Sequence, residues 1–394
     1  MGSGKMIPYG RQSIDERDIR SVIRVLRGEL ITQGKEVPEF EGKVRRYVGT
    51  KHAVAVNSAT SGLHLACLAL GIGEGDIVWT SPITFVASSN CALYCGAKID
   101  FVDIDPEDGL ISPDALSRKL RDAEKRGKLP KLLIVVHLAG SSCAMAEIRA
   151  LTEKYGVLVI EDASHALGGK YDGAAVGSCR YSDATVFSFH PVKIITSGEG
   201  GMVTTNCDET AGRVKALRSH GITKDAREFI GQSDGPWYYE QQQLGYNYRM
   251  SDIHAALGSS QMEKLDRFVA ERNQIIVEYV KKLEGKRVRI LKARSNVYSA
   301  YHLAVAIFED CDKDMHRRIF EEMRNAGIGV QLHYNPVHLN PYYRKLGFKC
   351  GDFPKAESYA SKAMSIPVYP GLGTEGIDQV CSSINSAMIA SGYL

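Results

Sequence analysis

Short apolar runs alternate with amphipathic segments through the first 165 residues of the chain. Five runs have strand length: HAVAVN, DIVWTS, KIDFVDID, KLLIVVHLAG and VLVIEDA. Each of the first four is followed by a helical pattern, and the first of these patterns has small residues at its start. Strands alternating with helices favour right-handed βαβ units and a mainly parallel sheet covered on both faces. The pattern therefore predicts an α/β fold.

Two helices are predicted before this alternation begins. Ser13 and Glu16 have the spacing of a capping box and predict a helix that runs to about Arg27. The segment EVPEFEGKVRRYVG predicts a second helix that ends at Gly49.

The regular alternation of strands and helices ends after residue 180. SDATVFSF and GMVTTN predict two more strands, and a long helical pattern over about 251–283 predicts a link between two domains. Beyond the link, two segments predict strands, VYSAYHLAVAIF and IGVQLHY. The segment CDKDMHRRIFEEMRNAG predicts a helix, and the last stretch of the chain predicts further helix. We expect a large domain over 6–255 and a smaller α+β domain over 256–394. The first five residues, MGSGK, are typical of an artificial leader.

Composition narrows the functional classes. The 394 residues are 44% hydrophobic and 24% charged, with a net charge of +3. No apolar run approaches the ~18–20 residues of a membrane span, and no Lys/Arg block resembles a nucleic-acid arm. The nine cysteines are odd in number and form no CxxC pair, which favours reduced thiols and no metal site. We expect a cytoplasmic globular protein without nucleic-acid or membrane partners.

The first candidate site follows the first strand. After HAVAV comes NSATSG, which leads directly into a helix. Free backbone N–H groups at a helix N-terminus, together with the hydroxyls of Thr60 and Ser61, could hold a phosphate. The alternative is that one of these two residues only caps the helix.

The second candidate site ends the fifth strand. EDASHALGG places Asp162 and His165 directly after a hydrophobic run. A carboxylate in such a position is desolvated and needs a positive partner. A structural ion pair or a helix cap would satisfy it, and so would the cationic ring nitrogen of a cofactor.

The third candidate is Lys193 in SFHPVKIITSGEGG, crowded by small and hydrophobic residues. A lysine in a dry setting has a lowered pKa and becomes a nucleophilic amine that forms Schiff bases with carbonyl compounds. Ser188 lies five residues before it, and the glycines after it allow a tight turn. Alone, the stretch could also hold an ordinary exposed loop lysine.

The three candidates together predict a site for pyridoxal 5′-phosphate (PLP). PLP chemistry calls for a Schiff-base lysine, an acidic partner for the ring nitrogen and a phosphate cradle, and each lies at a different strand end. A dinucleotide fold is disfavoured because GIGEGD lacks the third glycine and precedes a strand. No GxxxxGK[ST] motif is present, and a (β/α)₈ aldolase would have no distinct C-terminal domain.

Four segments give the chain a family resemblance: NSATSGLHLA, EDASHALGG, SFHPVKIITSGEGG and LGYNYRMSDIHAALG. In this order they resemble the nucleotide-sugar aminotransferases of PLP fold type I, the aspartate-aminotransferase fold. The resemblance covers the chain from about residue 7 to its end, and Lys193 argues against the related sugar dehydratases, which carry histidine there.

The resemblance implies roles for individual residues. Lys193 would form the Schiff base with PLP, Asp162 would pair with the pyridine nitrogen, and His165 would lie near the phenolic oxygen. The remaining cofactor contacts it implies are Thr60, Ser61 and Ser188 at the phosphate, Phe85 on the ring face, and Asn247 at the phosphate of a neighbouring subunit. That last contact implies a homodimer with shared active sites.

The resemblance also implies substrates. Three further segments are similar to those of family members that aminate C4 of a UDP-linked 4-keto-6-deoxy sugar in pseudaminic acid biosynthesis: PITFVASSNCALYCGAKIDFVDID, WYYEQQQLGYNYRM and QLHYNPVHLNPYY. In such members L-glutamate donates the amino group and leaves as 2-oxoglutarate. The segments expected near the sugar nucleotide contain Tyr9, Thr32, His333 and Tyr334. A perosamine- or bacillosamine-type C4 aminotransferase stays open as an alternative, as does, more remotely, a non-catalytic protein that binds PLP or a nucleotide sugar.

Overall fold

The computed structural model describes residues 6–393, so the predicted leader lies outside the described residues. The helices are α1 (Glu16–Leu26), α2 (Glu36–Val48), α3 (Ala59–Ala69), α4 (Ala87–Tyr94), α5 (Pro113–Lys125), α6 (Met145–Lys154), α7 (Asp208–Leu217), α8 (Asp252–Met262), α9 (Leu265–Lys282), α10 (Lys313–Asn325), α11 (Pro341–Lys345), α12 (Pro354–Ala360) and α13 (Gly373–Ala390). The strands are β1 (His52–Val56), β2 (Ile77–Thr80), β3 (Lys98–Phe101), β4 (Leu132–Val136), β5 (Leu158–Asp162), β6 (Lys170–Tyr171), β7 (Ala174–Ala175), β8 (Ala184–Ser188), β9 (Gly201–Thr205), β10 (Ile222–Thr223), β11 (Glu240–Gln241), β12 (Val288–Ile290), β13 (Val297–Tyr298), β14 (Ala304–Phe308) and β15 (Ala363–Ile366).

A seven-stranded sheet with the order β1-β9-β8-β5-β4-β2-β3 forms the centre of the molecule. Only β9 runs against its neighbours; the strands from β8 to β3 pair in parallel. β4 is buried along its whole length and reads LLIVV, as expected for a parallel strand covered on both faces. The predicted α/β fold with a mainly parallel sheet is confirmed.

The sheet brings the three candidate segments to one edge. β1, β5 and β8 run in the same direction, so their carboxyl ends meet there. Asp162 ends β5, Ser188 ends β8, and α3 begins three residues after β1.

A second apolar core lies around a three-stranded sheet with the order β12-β14-β15. Residues of α9, α10 and α13 pack on this sheet. By contrast, buried residues of α11 and α12 join the core of the large sheet. A domain boundary near residue 255 stays a prediction.

Several predicted elements differ from the structure. The N-cap of α1 is Asp15, whose carboxylate accepts from two backbone N–H groups, rather than Ser13. The predicted long helix over 251–283 is divided into α8 and α9. IGVQLHY forms only two isolated bridges, at Ile328 and Gln331, and the predicted strand VYSAYHLAVAIF is interrupted between β13 and β14. In these segments tertiary contacts outweigh the local pattern.

Candidate active site

A cavity of about 360 Å³ lies at the edge where the candidate segments meet. The predicted residues that line it are Tyr9, Thr60, Phe85, Asp162, His165, Ser188, Lys193, His333 and Tyr334. These residues are separated by up to 325 positions in sequence, from Tyr9 to Tyr334. The fold therefore assembles most of the predicted site in one place.

Lys193 lies in the turn between β8 and β9, half-buried at the cavity wall. Its backbone N–H donates to the carbonyl of His190 at 2.9 Å, and the next two residues, Ile194 and Ile195, are buried. Loss of solvation lowers the pKa of the Lys193 ammonium to about 8, although the charge of Asp162 opposes the shift. A substantial fraction of the amine is therefore neutral near physiological pH, as a nucleophile requires.

Asp162 is a buried carboxylate held by hydroxyl groups. Its Oδ2 accepts from Ser88 Oγ at 2.6 Å, and its Oδ1 accepts from Ser164 Oγ at 2.6 Å and Ser164 N at 3.1 Å. Among residues 6–393, no basic side chain approaches it within ion-pair distance. A buried anion without a cationic partner suits a ligand that brings the positive charge, such as a protonated ring nitrogen.

The N-terminus of α3 opens onto the same cavity. Ser58 is the N-cap, and its Oγ accepts from the backbone N–H of Ser61 at 3.1 Å. β9 passes so close that a Cβ on Gly201 would lie 2.6 Å from the carbonyl oxygen of Ser58. Only glycine fits there, and the small residues leave room for an anion at the helix N-terminus.

Aromatic rings form another part of the cavity wall. Phe85, just before α4, is 58% exposed, and its ring centroid lies 6.3 Å from that of Tyr334. The Oη of Tyr334 lies 3.3 Å from Nε2 of His165. Burial and the charges of Lys193 and His333 lower the pKa of His165 well below its ordinary value. His165 is therefore neutral at physiological pH.

Three predicted site residues do not line the cavity. The Ser61 hydroxyl donates to Oδ1 of Asn57 at 2.5 Å, and Thr32 pairs with Ser251 in an isolated bridge. Asn247 lies in the loop that precedes α8, where it is exposed and forms a bridge with Ser219. Their predicted contacts with cofactor or substrate stay predictions.

Sequence reasoning missed several polar residues of the site, among them Ser58, Ser88, Ser164 and His302. Ser58 and Ser164 stand inside the quoted motifs, so their hydroxyls at strand ends were a usable signal. Ser88 and His302 also stand in quoted segments, but nothing there points to a site, and only the folded chain places them near Asp162 and His165.

These residues fit PLP. The α3 N-terminus suits a phosphate, the unpaired Asp162 suits the ring nitrogen, the exposed face of Phe85 suits a flat ring, and the Lys193 amine suits a carbonyl carbon. The fold and the site together are those of a PLP-dependent enzyme of fold type I.

Comparison with known proteins narrows this class. The profile of the DegT/DnrJ/EryC1/StrS aminotransferase family matches residues 12–385. The chain belongs to this family, and its members include PLP-dependent aminotransferases that act on nucleotide sugars.

Individual relatives match over nearly the full length. A Campylobacter jejuni UDP-4-amino-4,6-dideoxy-N-acetyl-β-L-altrosamine transaminase is 38% identical over 98% of this chain and 100% of its own. The Bacillus subtilis spore coat polysaccharide biosynthesis protein SpsC is 36% identical over 96% of both chains. Helicobacter pylori PseC, an aminotransferase of pseudaminic acid biosynthesis, superposes with a TM-score of 0.89 at 28% identity over 98% of this chain and 100% of that one.

A Streptococcus pneumoniae protein assigned as a sugar aminotransferase, Spr1654, was solved in PLP and PMP forms. The PMP form superposes with a TM-score of 0.91 at 29% identity, over 98% of this chain and 100% of that one. The cofactor of this chain is PLP. No helix among residues 6–393 is long and apolar enough to cross a membrane.

Proposed function

We propose that this chain transfers the amino group of L-glutamate to C4 of UDP-2-acetamido-2,6-dideoxy-β-L-arabino-hex-4-ulose, a step in pseudaminic acid biosynthesis. The product is UDP-4-amino-4,6-dideoxy-N-acetyl-β-L-altrosamine. The observation that carries the proposal is the 38% identity, over 98% of the chain, to transaminases named for this product. The cavity that holds Lys193 and Asp162 supplies the chemistry.

PLP, when bound, supplies the carbonyl that accepts the amino group and the ring that withdraws electrons from the substrate. We assign Lys193 two tasks. Its amine holds the cofactor between turnovers. Once displaced by a substrate amine, it would move the proton from Cα of glutamate to C4′ of the cofactor in the first half-reaction, and a proton from C4′ to C4 of the sugar in the second. A pKa of about 8 lets the same group act as base and acid near neutral pH.

Asp162 keeps the ring nitrogen protonated in this proposal. Its carboxylate cannot rotate freely because Ser88 and Ser164 hold both oxygens. The hydroxyls stabilise the anion without neutralising it, so the negative charge stays available to the ring.

The sugar nucleotide enters over Tyr9, His333 and Tyr334. The ring centroids of Tyr9 and His333 are 5.2 Å apart, and those of His333 and Tyr334 are 4.9 Å apart. Nδ1 of His333 lies 2.8 Å from Ser365 Oγ, which fixes the imidazole against β15. Burial lowers the pKa of His333 to about 4, so it binds substrate as a neutral hydrogen-bonding group.

We also propose a homodimer whose subunits share active sites. Asn247 lies outside its own chain's cavity, on an exposed segment that carries three large apolar side chains, Ile230, Trp237 and Leu244. Side chains of this kind, 74–87% exposed, are typical of a protein interface. A partner subunit seated there would receive Asn247 at its phosphate site.

The test is a substrate panel. Purified protein, PLP and L-glutamate are incubated with UDP- and GDP-linked 4-keto-6-deoxy sugars, and the configuration at C4 of each product is read by NMR. We expect the proposed sugar to have the highest kcat/KM, by about tenfold or more over the others. The Lys193→Ala variant is the control and should form no product.

A higher kcat/KM for a perosamine- or bacillosamine-type sugar would contradict the substrate and leave the aminotransferase class intact. Absence of 2-oxoglutarate from glutamate with every sugar would contradict the activity itself.

A further inference from the structure

Three thiols and an imidazole lie between α3 and α4 and form what we call the thiol cluster. His64 and Cys67 are three positions apart on α3, and Cys91 and Cys95 are four positions apart at the end of α4. Residues at these spacings share one face of a helix, and the two helices pack against each other. None of the four side chains lines the cavity that holds Lys193, so the cluster stands apart from the proposed reaction.

The imidazole of His64 faces the end of α4. Its ring centroid lies 5.5 Å from that of Tyr94, the residue before Cys95. His64 is only 4% exposed, and its Nε2 is closed off from solvent without a hydrogen-bond partner. Nδ1 lies 3.4 Å from the hydroxyl of Tyr248. Nε2 therefore lacks the acceptor that a negatively charged Cys95 sulfur would supply.

Cys95 is the most acidic thiol of the cluster. Hydrogen bonds from Cys67 and from His64 lower the pKa of Cys95 to about 6, although burial opposes the shift. The hydrogen bonds of Cys67 with Cys91 and Cys95, together with burial, raise the pKa of Cys67 well above its ordinary value. At neutral pH the pair is therefore a thiolate beside a thiol, and the thiolate is the nucleophilic form.

Cys95 is also the member of the cluster that a small oxidant can reach. Cys67 and Cys91 are fully buried, whereas Cys95 is half-buried at the C-cap of α4. A low-pKa thiolate near the surface with a second thiol beside it is typical of an oxidation-sensitive cysteine and its resolving partner. Among residues 6–393, no group of three or more His, Cys, Asp or Glu side chains is arranged to hold a metal ion. The cluster therefore offers thiol chemistry.

We propose that the thiol cluster is a site of oxidation by hydrogen peroxide, in which Cys95 reacts first and Cys67 resolves it. The Cys95 sulfur attacks one peroxide oxygen and becomes a sulfenic acid, while the O–O bond breaks and the other oxygen takes up a proton and leaves as water. The Cys67 thiol then attacks the sulfenic sulfur, forms the S–S bond and releases the hydroxyl with its own proton as a second water. The two sulfurs lose two electrons, which the peroxide gains, and the disulfide joins α3 to the end of α4.

The test maps disulfides in the full-length protein loaded with PLP. The reduced protein is treated with a small excess of hydrogen peroxide at neutral pH, remaining thiols are alkylated, and the protein is digested with chymotrypsin. Cleavage after Trp79 and Tyr94 separates the three cysteines, so mass spectrometry identifies each pair. We expect one disulfide, between Cys67 and Cys95.

Cys350 is the matched control thiol within the same molecule. It is exposed, but its hydrogen bond to Glu357 raises its pKa, so it stays protonated at neutral pH. Exposure alone would make Cys350 react before the half-buried Cys95. We expect the opposite, with the free thiol of Cys95 lost about tenfold faster or more, because the thiolate is the reactive form.

Variants separate the roles of the two sulfurs. Cys67→Ala should form no disulfide in the cluster, and its Cys95 sulfenic acid should be trapped by dimedone about tenfold more than in the wild type. Cys95→Ala should leave Cys67 and Cys91 reduced. Cys67→Ser serves in place of Cys67→Ala if that variant does not fold.

Three results would overturn the assignment. They are a Cys95 thiol that reacts no faster than Cys350, a disulfide that joins Cys95 to Cys91 instead of Cys67, and equal dimedone labelling of Cys95 in the wild type and in Cys67→Ala. All three measurements read thiols and not amino transfer, so the proposed function is tested separately.

Discussion

At the residue scale, Lys193 and Asp162 carry the proposed chemistry of the site, and the sequence alone already singled out both positions. A lysine among apolar neighbours and a carboxylate directly after an apolar strand are unusual in any one chain. Their placement at strand ends made a shared site predictable, because the carboxyl ends of parallel strands meet at one edge.

Lys193 should lower the stability of the cofactor-free protein. Its pKa falls from 10.5 to about 8 on folding, so the unfolded chain binds more protons between these values. The charged form is thus penalised in the folded state below about pH 8, and the penalty fades as the pH rises towards 10.5. Lys193→Met should therefore unfold at higher urea concentration than the wild type at neutral pH. The difference between the two urea midpoints should narrow at higher pH. A difference that widens as the pH rises would contradict the desolvated environment assigned to Lys193.

Replacing Asp162 with asparagine should separate binding from catalysis. The amide preserves the shape and can still bond with Ser88 and Ser164, but it cannot hold a proton on the ring nitrogen. We expect kcat of Asp162→Asn to fall by about 100-fold or more, in line with the loss of a preorganised charge, while PLP still binds. Steady-state kinetics and a PLP titration measure the two effects, with Asp314→Asn on the surface of α10 as the control. Full activity in Asp162→Asn would count against the proposed role.

Residues that act through distant contacts could not be predicted. Ser88 reaches Asp162 across 74 positions, and His302 reaches His165 across 137. Neither residue stands in a pattern that distinguishes it from an ordinary buried serine or histidine. Their roles depend on how α4 and the segment before β14 pack on the sheet edge.

At the scale of elements, the contact between β9 and the N-terminus of α3 shapes the end of the cavity where we expect the cofactor phosphate. The glycines that lead into β9 were visible in the sequence, but the close contact that requires a glycine was not. The tight turn expected after Lys193 also leads into a close approach between a strand and a helix cap, at Gly201 and Ser58. The hydrophobic pattern also predicted one continuous strand where the structure has β13 and β14 with an interruption between them.

Gly201→Ala should distort that contact. The added methyl group would lie 2.6 Å from backbone atoms of Ser58, so the strand or the helix cap must move. We expect a loss of about 1–3 kcal/mol in the free energy of unfolding, together with weaker PLP binding. Gly212→Ala is the matched control, because its Cβ would meet open space within α7. It should stabilise the protein by about 0.5–1 kcal/mol. Equal effects of the two substitutions would contradict this account of β9.

At the scale of the whole molecule, the main architecture followed from the alternation of strands and helices. The strand order and the antiparallel β9 did not, because pairing partners are distant in sequence. The sequence also gave no sign that α11 and α12 pack on the large core. The position of Asn247 outside its own cavity is the feature on which the proposed homodimer rests.

Mixed dimers test the shared site. Lys193→Ala and Asn247→Asp should each be inactive, the second because its carboxylate repels the phosphate. If Asn247 acts across the interface, a hybrid of the two variants contains one intact site. Mixing equal amounts under exchange conditions should then restore about a quarter of wild-type activity, by random pairing in a two-fold dimer. Mixtures that stay inactive after verified exchange would show that each chain completes its own site.

The measurement closest to the central claim is reductive trapping of the cofactor. The wild-type protein, loaded with PLP, is reduced with borohydride, digested and mapped by mass spectrometry. The account predicts a single phosphopyridoxyl group, carried on Lys193, and its loss when L-glutamate is added before the borohydride. Trapping on another lysine, or no trapping under conditions in which PLP binds, would contradict the claim that Lys193 carries the chemistry.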